Sequence, residues 1–252
     1  MERSWLWRNL QVFAHFMATL LFDLRVYGIE NVPKSGGLIL AANHQSYLDP
    51  PLIAVRLSRP VSFFAKSELF ENPYFGRFIR QLHAFPVRQG EGDAGAVKEA
   101  IRRLKEGNVL NIYPEGSRTE DGQIGKIEPG IALVARRAGV PIVPVVIDGS
   151  FQAWPKWRKL FRPGPIAVMY GRPLEVADLK PGEIVKLLEE TLRRMMVELK
   201  AKEAARRAWR GLPPRPTPGP PAGWVGEGYA HRPDRGRVKK AAGEAAADEV
   251  IA

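Results

Sequence analysis

The 252-residue chain contains no cysteine and no long, uninterrupted apolar segment. Without cysteine there can be no disulfide scaffold, no thiolate zinc or iron–sulfur site and no cysteine nucleophile. The apolar stretch at 10–22 has 13 residues, short of the ~20 that a helix needs to cross a bilayer. No small-residue cleavage site follows it, so we expect neither a transmembrane helix nor a signal peptide.

The chain has a surplus of positive charge. Lys and Arg number 38 against 27 Asp and Glu, which gives a formal net charge of +11. Such a surplus attracts polyanions, whether nucleic acid, anionic lipid or phosphorylated substrates. With 45% hydrophobic and 26% charged residues, the composition is that of a folded domain, not of a disordered chain or a polytopic membrane protein.

The central part of the chain, residues 24–210, predicts one α/β domain. Short β-branched runs alternate there with helical patterns, which indicates a largely parallel sheet of about seven strands flanked by helices. The predicted strands are 25–29, 38–42, 61–64, 85–88, 109–113, 141–147 and 166–170. The predicted helices are 51–57, 69–81, 94–106, 131–138 and an amphipathic stretch that begins at 183.

The two ends of the chain differ from this domain. Residues 1–23 predict an amphipathic helix, since apolar residues recur there with a helical period. Two interpretations stay open: a helix packed on the domain's own core, or an interfacial helix on an anionic membrane surface. Residues 211–252 predict a disordered tail, because residues 211–233 hold seven prolines and five glycines without an apolar period.

The strand predicted at 38–42 runs into a polar turn that contains His44 and Asp49. On a continuous helix these side chains would point about 140° apart, so a contact requires a turn. Pro50 and Pro51 fit the first turn of a new helix, with Asp49 at its N-cap. A carboxylate there can hold the imidazole and leave its other nitrogen as a general base. The alternative is a capping Asp49 beside a structural or solvated His44.

A second polar turn, Glu115–Arg118, follows the strand predicted at 109–113. Ligands bind at the strand ends of open α/β sheets. Arg118 offers a planar fork of donors for a phosphate, and the Gly116 and Ser117 amides can add to it. The alternative is an ion pair between Glu115 and Arg118 at a solvated turn.

Taken together, the motifs resemble the ordered blocks of the glycerophospholipid acyltransferase superfamily, most closely its 1-acylglycerol-3-phosphate (lysophosphatidic acid) acyltransferase family. In chain order they are NHxxxxD at 43–49, KxEL at 66–69 with NP at 72–73 and Gly76, Arg88, YPEGSR at 113–118 and VPIVP at 140–144. The likeness covers about residues 24–175. Tyr113 and Ser117 replace the family's commoner Phe and Thr, and the residues before Arg88 depart from its usual pattern.

The resemblance implies transfer of a fatty acyl group from an acyl thioester, acyl-CoA or acyl-carrier protein, to the sn-2 hydroxyl of 1-acylglycerol-3-phosphate. By the same likeness His44 is the general base and Asp49 orients it. The residues implied in binding the acceptor's glycerol phosphate are Lys66, Arg88, Glu115, Gly116, Ser117 and Arg118. No metal and no cofactor beyond the acyl donor are implied. Glycerol-3-phosphate or another lysolipid stays open as the acceptor.

A lipid acceptor also gives the charge and the first helix an explanation. We expect residues 1–23 to lie on an anionic membrane surface, at the cytoplasmic face and in a peripheral or monotopic manner. The polyanionic partner is then the membrane with its phospholipid precursors, not nucleic acid. The sequence does not specify an oligomeric state.

Two functions of other classes compete with this one. Gly90, Gly92 and Gly95 form a GxGxxG pattern, which is typical of an NAD(P)-dependent oxidoreductase. Pro86 interrupts the preceding strand, however, and the acidic Glu91 and Asp93 would face the pyrophosphate. The other competitor is a non-catalytic basic module that binds membrane or nucleic acid, and it predicts no loss of function when His44 is replaced.

Overall fold

The structure, a computed structural model, describes residues 5–87 and 93–215, which belong to one compact unit. Within this part the strands are β1 Arg25–Tyr27, β2 Leu38–Ala42, β3 Val61–Lys66, β4 Ala84–Val87, β5 Val109–Ile112, β6 Ile142–Asp148 and β7 Ala167–Tyr170. The α-helices are α1 Trp5–Phe22, α2 Asp49–Ala54, α3 Pro73–Gln81, α4 Ala94–Lys105, α5 Gly130–Ala138, α6 Ser150–Ala153 and α7 Pro181–Trp209. Short 3-10 helices lie at Ile29–Asn31 and Ser67–Phe70.

The strands form a 7-stranded sheet in the order β1-β7-β6-β2-β5-β3-β4. Every pairing is parallel except that of β6 with β7. The predicted α/β fold with a largely parallel sheet is thereby confirmed. Because β2, β5 and β3 are parallel neighbours, the turns that follow them lie along one edge of the sheet, the usual ligand side of this architecture.

Both faces of the sheet are covered. One apolar cluster packs α4, α5 and α7 against one face, and a second packs α1 and α2 against the other. Strand β2 is fully buried and alternates between them, with Ile39 and Ala41 in the first cluster and Leu40 in the second. Burial on both faces explains its continuous apolar sequence. The turn that contains His44 therefore directly follows a strand at the centre of the core.

Some boundaries differ from those expected. Helix α3 begins at Pro73, not near Leu69, because the Asn72 side chain caps it by accepting hydrogen bonds from the Tyr74 and Phe75 amides. Helix α6 was not expected, since its four residues are too few to show a periodic pattern. Among the described helices, none combines the length and apolar character needed to cross a membrane.

Candidate active site

His44 and Asp49 meet in the turn between β2 and α2. His44 Nδ1 lies 2.8 Å from Asp49 Oδ2, and the Asp49 side chain is fully buried whereas that of His44 is 18% exposed. Asp49 Oδ2 also accepts hydrogen bonds from the amides of Gln45 at 2.6 Å and Ser46 at 2.7 Å. A carboxylate accepts hydrogen bonds, so this contact assigns a proton to Nδ1, and in the neutral imidazole Nε2 is then the nitrogen that can act as a base.

The N-cap role expected of Asp49 is wrong. Helix α2 begins at Asp49 itself, the cap position is Leu48, and Pro50 and Pro51 fall in the first turn as predicted. The Asp49 carboxylate turns back to the amides that precede the helix and not to those inside it. Asp49 therefore shapes the His44 turn, and the prolines alone mark the start of the helix.

Two buried amide side chains fix this turn to the sheet. Asn43 Nδ2 donates to the Ile147 carbonyl at 3.1 Å and its Oδ1 accepts from the Ile147 amide at 2.8 Å. Gln45 Nε2 donates to the Gly122 carbonyl at 3.0 Å, and its Oε1 accepts from Ser150 Oγ at 3.3 Å. Neither role was predicted from the sequence. The sequence does contain an indication of these roles: two amide residues flank His44 directly after an apolar strand, and buried polar groups need hydrogen-bond partners.

Tyr113 covers one face of the His44 imidazole. The two ring centroids are 3.8 Å apart and the ring planes differ by 14°. Burial, together with the negative charge of Asp49, raises the pKa of Tyr113 well above its usual value, so the phenol stays neutral. The stacked ring restricts rotation of the imidazole, a role that the sequence did not indicate.

Glu115 uses both carboxylate oxygens on backbone amides. Oε1 accepts from the His44 amide at 2.8 Å and Oε2 from the Gly125 amide at 2.7 Å. Burial raises the pKa of Glu115 to about 7, although these two hydrogen bonds act in the opposite direction. Glu115 thus fastens the His44 turn to the loop at Gly125, and the alternative of a Glu115–Arg118 ion pair is not what the structure shows. Its role in acceptor binding stays a prediction.

Arg118 lies beside the same turn. Its guanidinium carbon is 3.5 Å from the centroid of the Tyr47 ring, and its buried Nη1 has no hydrogen-bond partner among the described residues. The next residue, Thr119, donates its amide to the His44 carbonyl at 2.8 Å. Gly116 has a φ of 71°, which favours glycine and lets the chain turn between Glu115 and Arg118. A cation with an unpaired Nη1 is therefore held in the turn that adjoins the His44 turn.

Of the remaining predicted site residues, three lie in the part of the chain that the structure describes and one lies outside it. Lys66 is the exposed last residue of β3, which pairs with β5, so it lies at the same sheet edge as the Glu115 turn. Ser117 is half-buried and Gly116 is exposed within that turn. Arg88 lies outside the described residues.

The structure does not favour the dinucleotide alternative. Gly95 lies in the first turn of α4, and Asp93 caps that helix by accepting from the Ala96 amide at 2.9 Å. A pyrophosphate site requires an accessible helix N-terminus after a central strand, whereas β4 is the edge strand of the sheet. Gly90 and Gly92 lie outside the described residues.

Comparisons with known proteins agree with the motifs. The acyltransferase family model matches residues 23–148. The 1-acyl-sn-glycerol-3-phosphate acyltransferase of Bacillus subtilis is 31% identical over 183 residues, covering 71% of this chain and 89% of that protein. The enzyme of that name from Pseudomonas aeruginosa is also 31% identical over 183 residues, with 69% of each chain covered.

A solved structure extends the agreement to the fold. The crystal structure of the 1-acyl-sn-glycerophosphate (LPA) acyltransferase PlsC from Thermotoga maritima matches this structure with a TM-score of 0.68 and 33% identity, over 77% of this chain and 80% of that one. The resemblance inferred from the motifs is confirmed: the chain belongs to the acyltransferase family and is an O-acyltransferase.

Proposed function

We propose that the chain transfers a fatty acyl group from an acyl thioester, acyl-CoA or acyl-carrier protein, to the sn-2 hydroxyl of 1-acylglycerol-3-phosphate, giving phosphatidic acid for phospholipid synthesis. The main support is the His44–Asp49 pair at 2.8 Å, with Arg118 and its unused donors in the adjoining turn. A base beside a cation suits an acceptor whose free hydroxyl lies close to a phosphate. The names of the relatives from Bacillus and Pseudomonas point to the same acceptor.

The reaction follows from the free Nε2 of His44. Nε2 takes the proton of the acceptor hydroxyl as its oxygen attacks the thioester carbonyl, and Asp49 stabilises the imidazolium that forms. The new C–O bond remains, the C–S bond breaks, and the imidazolium returns the proton to the leaving thiolate. Because a thioester is already activated, a positioned base and a phosphate clamp can supply the rate without a covalent intermediate.

Helix α1 supports a membrane as the source of this acceptor. Its inner side is partly polar, since Gln11 Nε2 donates to the carbonyls of Ala54 at 3.2 Å and Leu57 at 2.7 Å. Its outer side is apolar, and the side chains there are 62–66% exposed. They are Val12, Phe13, Phe16 and Leu20. An apolar surface of this kind on a basic protein fits an interfacial helix on anionic lipid.

Replacing the base tests the proposed reaction directly. We expect His44→Ala to lower acyl transfer by about 10²–10⁴-fold, the usual contribution of a positioned general base. Turnover of thioester by the purified protein is the measurement, with thermal unfolding as the check on folding. A matched control is His83→Asn, since His83 has a φ of 64° that Asn tolerates well. Wild-type turnover in His44→Ala would exclude His44 as the base.

The substrates themselves need a separate measurement. Purified wild-type protein is supplied with lysophosphatidate, glycerol-3-phosphate and other lysolipids, each with acyl-CoA and with acyl-carrier protein, and the products are read by mass spectrometry. We expect phosphatidic acid from lysophosphatidate as the main product. Preferential acylation of glycerol-3-phosphate or of a neutral lysolipid would replace the proposed acceptor without changing the reaction class.

A further inference from the structure

The loop between α6 and β7, residues 154–166, has an unusual composition that the catalytic site does not explain. It contains no acidic residue. Its basic residues are Lys156, Arg158, Lys159 and Arg162, and its large apolar residues include Trp154, Trp157, Leu160 and Phe161. A loop that alternates cations with large apolar side chains is typical of contact with a lipid surface.

The base of this loop is packed against the domain. Trp154 Nε1 donates to the Arg158 carbonyl at 2.8 Å, the Trp157 ring meets Phe151 at 5.3 Å, and Lys156 forms an ion pair with Glu120 at 3.4 Å. The outermost residues, 159–163, are all exposed, and we call them the tip segment. Leu160, its second residue, is 77% exposed. A packed base thus holds the apolar Leu160 side chain in water. Contact with lipid would remove the free-energy cost of that exposure.

The tip segment lies beside the end of α1. The Phe161 ring is 5.6 Å from that of Phe22, and the amides of Gly164 and Ile166 donate to the carbonyls of Leu21 at 3.1 Å and Phe22 at 2.8 Å. The tip segment therefore adjoins the C-terminal end of α1, where Leu20 is 66% exposed.

A chain of ring contacts joins this loop to the active site. The Trp154 ring meets the Tyr47 ring at 5.6 Å, and Tyr47 in turn lies under the Arg118 guanidinium at 3.5 Å. The tip segment is thus three contacts from the cation assigned to the acceptor phosphate, since Phe161 also meets Trp154 at 6.0 Å. Packed aromatic rings therefore link the tip segment to the turn that contains Arg118.

We propose that the tip segment is a second lipid-binding element, which with α1 docks the enzyme on an anionic phospholipid surface so that the active site faces the bilayer. The proposal rests on the proposed function, which takes the acceptor from that bilayer. Lys159 and Arg162 form no ion pair with any residue that the structure describes, so they are available for lipid phosphates. A water-soluble polyanion would pair with these cations and leave Leu160 exposed, whereas a bilayer accommodates both.

Vesicle partitioning of the full-length chain tests the proposal. The vesicles are phosphatidylcholine alone or phosphatidylcholine with phosphatidylglycerol, and bound protein is measured by flotation at low and high salt. We expect the reversal Lys159→Glu/Arg162→Glu to weaken binding to the anionic vesicles about tenfold or more, because each cation near such a surface contributes about fivefold. Leu160→Ser is expected to weaken binding to both kinds of vesicle, and high salt should not remove its effect.

Matched controls come from α7, on the opposite face of the sheet. Val197 is 70% exposed there, and Arg194 and Lys200 are exposed cations. We expect Val197→Ser and Arg194→Glu/Lys200→Glu to bind vesicles as the wild type does. If the tip variants also bind as the wild type does, the proposal is overturned. Unchanged vesicle binding with a selective loss of transfer from acyl-carrier protein would assign the surface to the protein donor instead.

A comparison of activities separates this proposal from the proposed function. For each protein, turnover of a short-chain lysophosphatidate dissolved as monomer is compared with turnover of a long-chain one in anionic vesicles. We expect the tip variants to lower the ratio of vesicle to monomer turnover. No transfer by the wild type to either acceptor would refute the proposed function, while vesicle partitioning would still report on the tip segment.

Discussion

The environment of Arg118 leads to a specific prediction about binding of the acceptor. The Arg118 guanidinium lies over the Tyr47 ring, and a buried Nη1 has no partner among the described residues. We expect Arg118→Ala to raise the KM for lysophosphatidate by about 10–100-fold, the effect of losing hydrogen bonds to a charged group. Steady-state kinetics over a range of acceptor concentrations provides the measurement.

The lysine variant and a surface control make that result interpretable. Arg118→Lys keeps the charge but loses the planar fork and its stacking, so we expect an intermediate KM. Arg136→Ala, at an exposed position on α5, should leave KM unchanged. A wild-type acceptor KM in Arg118→Ala would remove Arg118 from the phosphate site.

Glu115 predicts a pH dependence of stability. Burial raises its pKa in the folded protein to about 7, above the ~4.3 of an unfolded chain. Between these values the folded state retains a proton that the unfolded state releases, so this group's contribution to stability falls as pH rises through that window. Glu115→Gln cannot titrate. We therefore expect the free energy of unfolding of the wild type to fall relative to the variant between about pH 5 and pH 7.

Denaturant unfolding of both proteins across this pH range measures the difference. Two parallel pH profiles would show that the Glu115 carboxyl is not retained in its protonated form. A difference of the opposite sign, found only when unfolding is also measured below the unfolded-state pKa of ~4.3, would mean that the amides of His44 and Gly125 outweigh burial.

The sequence predicted some residue contacts and not others, for a physical reason. The meeting of His44 and Asp49 could be predicted because both lie in one turn, whose end the prolines mark. The stacking of Tyr113 on His44 and the hydrogen bond from the His44 amide to Glu115 arise because β2 and β5 are neighbours. Strands far apart in sequence set that adjacency, so local spacing could not reveal it.

At the level of elements, the prediction was most accurate where strong turn signals bound an apolar run. Strand β2 has the predicted limits, because glycines precede it and a polar turn follows. Helix α7 begins at Pro181, close to the predicted start, but continues to Trp209. The orientation of α1 could not be predicted, since its periodicity fits either face. The buried side chains of Ala18 and Phe22, together with the Gln11 hydrogen bonds, identify the inner one.

Helix α1 can be tested by substitution more cleanly than by deletion. Ala18 and Phe22 belong to the apolar core, so removing the helix would also damage the domain. We expect Phe13→Ser/Phe16→Ser to lower binding to phosphatidylglycerol vesicles at least tenfold, since each buried aromatic contributes about 1.5–3 kcal/mol. The thermal unfolding midpoint should stay close to that of the wild type, because both rings are mainly exposed.

Flotation of the variant beside the wild type measures this effect. Leu133→Ser on α5 is the matched control, since Leu133 is 43% exposed on another surface. Unchanged binding of Phe13→Ser/Phe16→Ser would mean that α1 does not contact the lipid.

For the whole molecule, the net charge of +11 separates into parts with different environments. Residues 200–252 contribute 11 basic and six acidic side chains, a surplus of five, which leaves a surplus of six for residues 1–199. Part of the first surplus belongs to the folded unit, since Arg206 and Arg210 lie 3.3 Å and 3.7 Å from Asp23. The C-terminal charge is therefore used partly to hold α7 against the start of β1.

An ion pair beyond α7 joins the chain to the sheet. Arg215 Nη1 lies 2.7 Å from Asp148 Oδ2, and both side chains are largely buried. Arg215 falls inside residues 211–252, the segment for which the composition predicts a disordered tail. Asp148 is the last residue of β6, so the contact lies at the carboxyl end of a strand inside the sheet.

Two truncations test how far the fold extends. A chain that ends at Arg215 should unfold with the free energy of the full-length chain, because we expect residues 216–252 to add no core. A chain that ends at Arg210 leaves Asp148 buried without its cation, and we expect a loss of about 3 kcal/mol. Arg215→Ala in the full-length chain should reproduce that loss, and Asp148→Asn in the shorter chain should restore part of it. Equal stability of the two truncated chains, measured by urea unfolding, would place the end of the folded unit at α7.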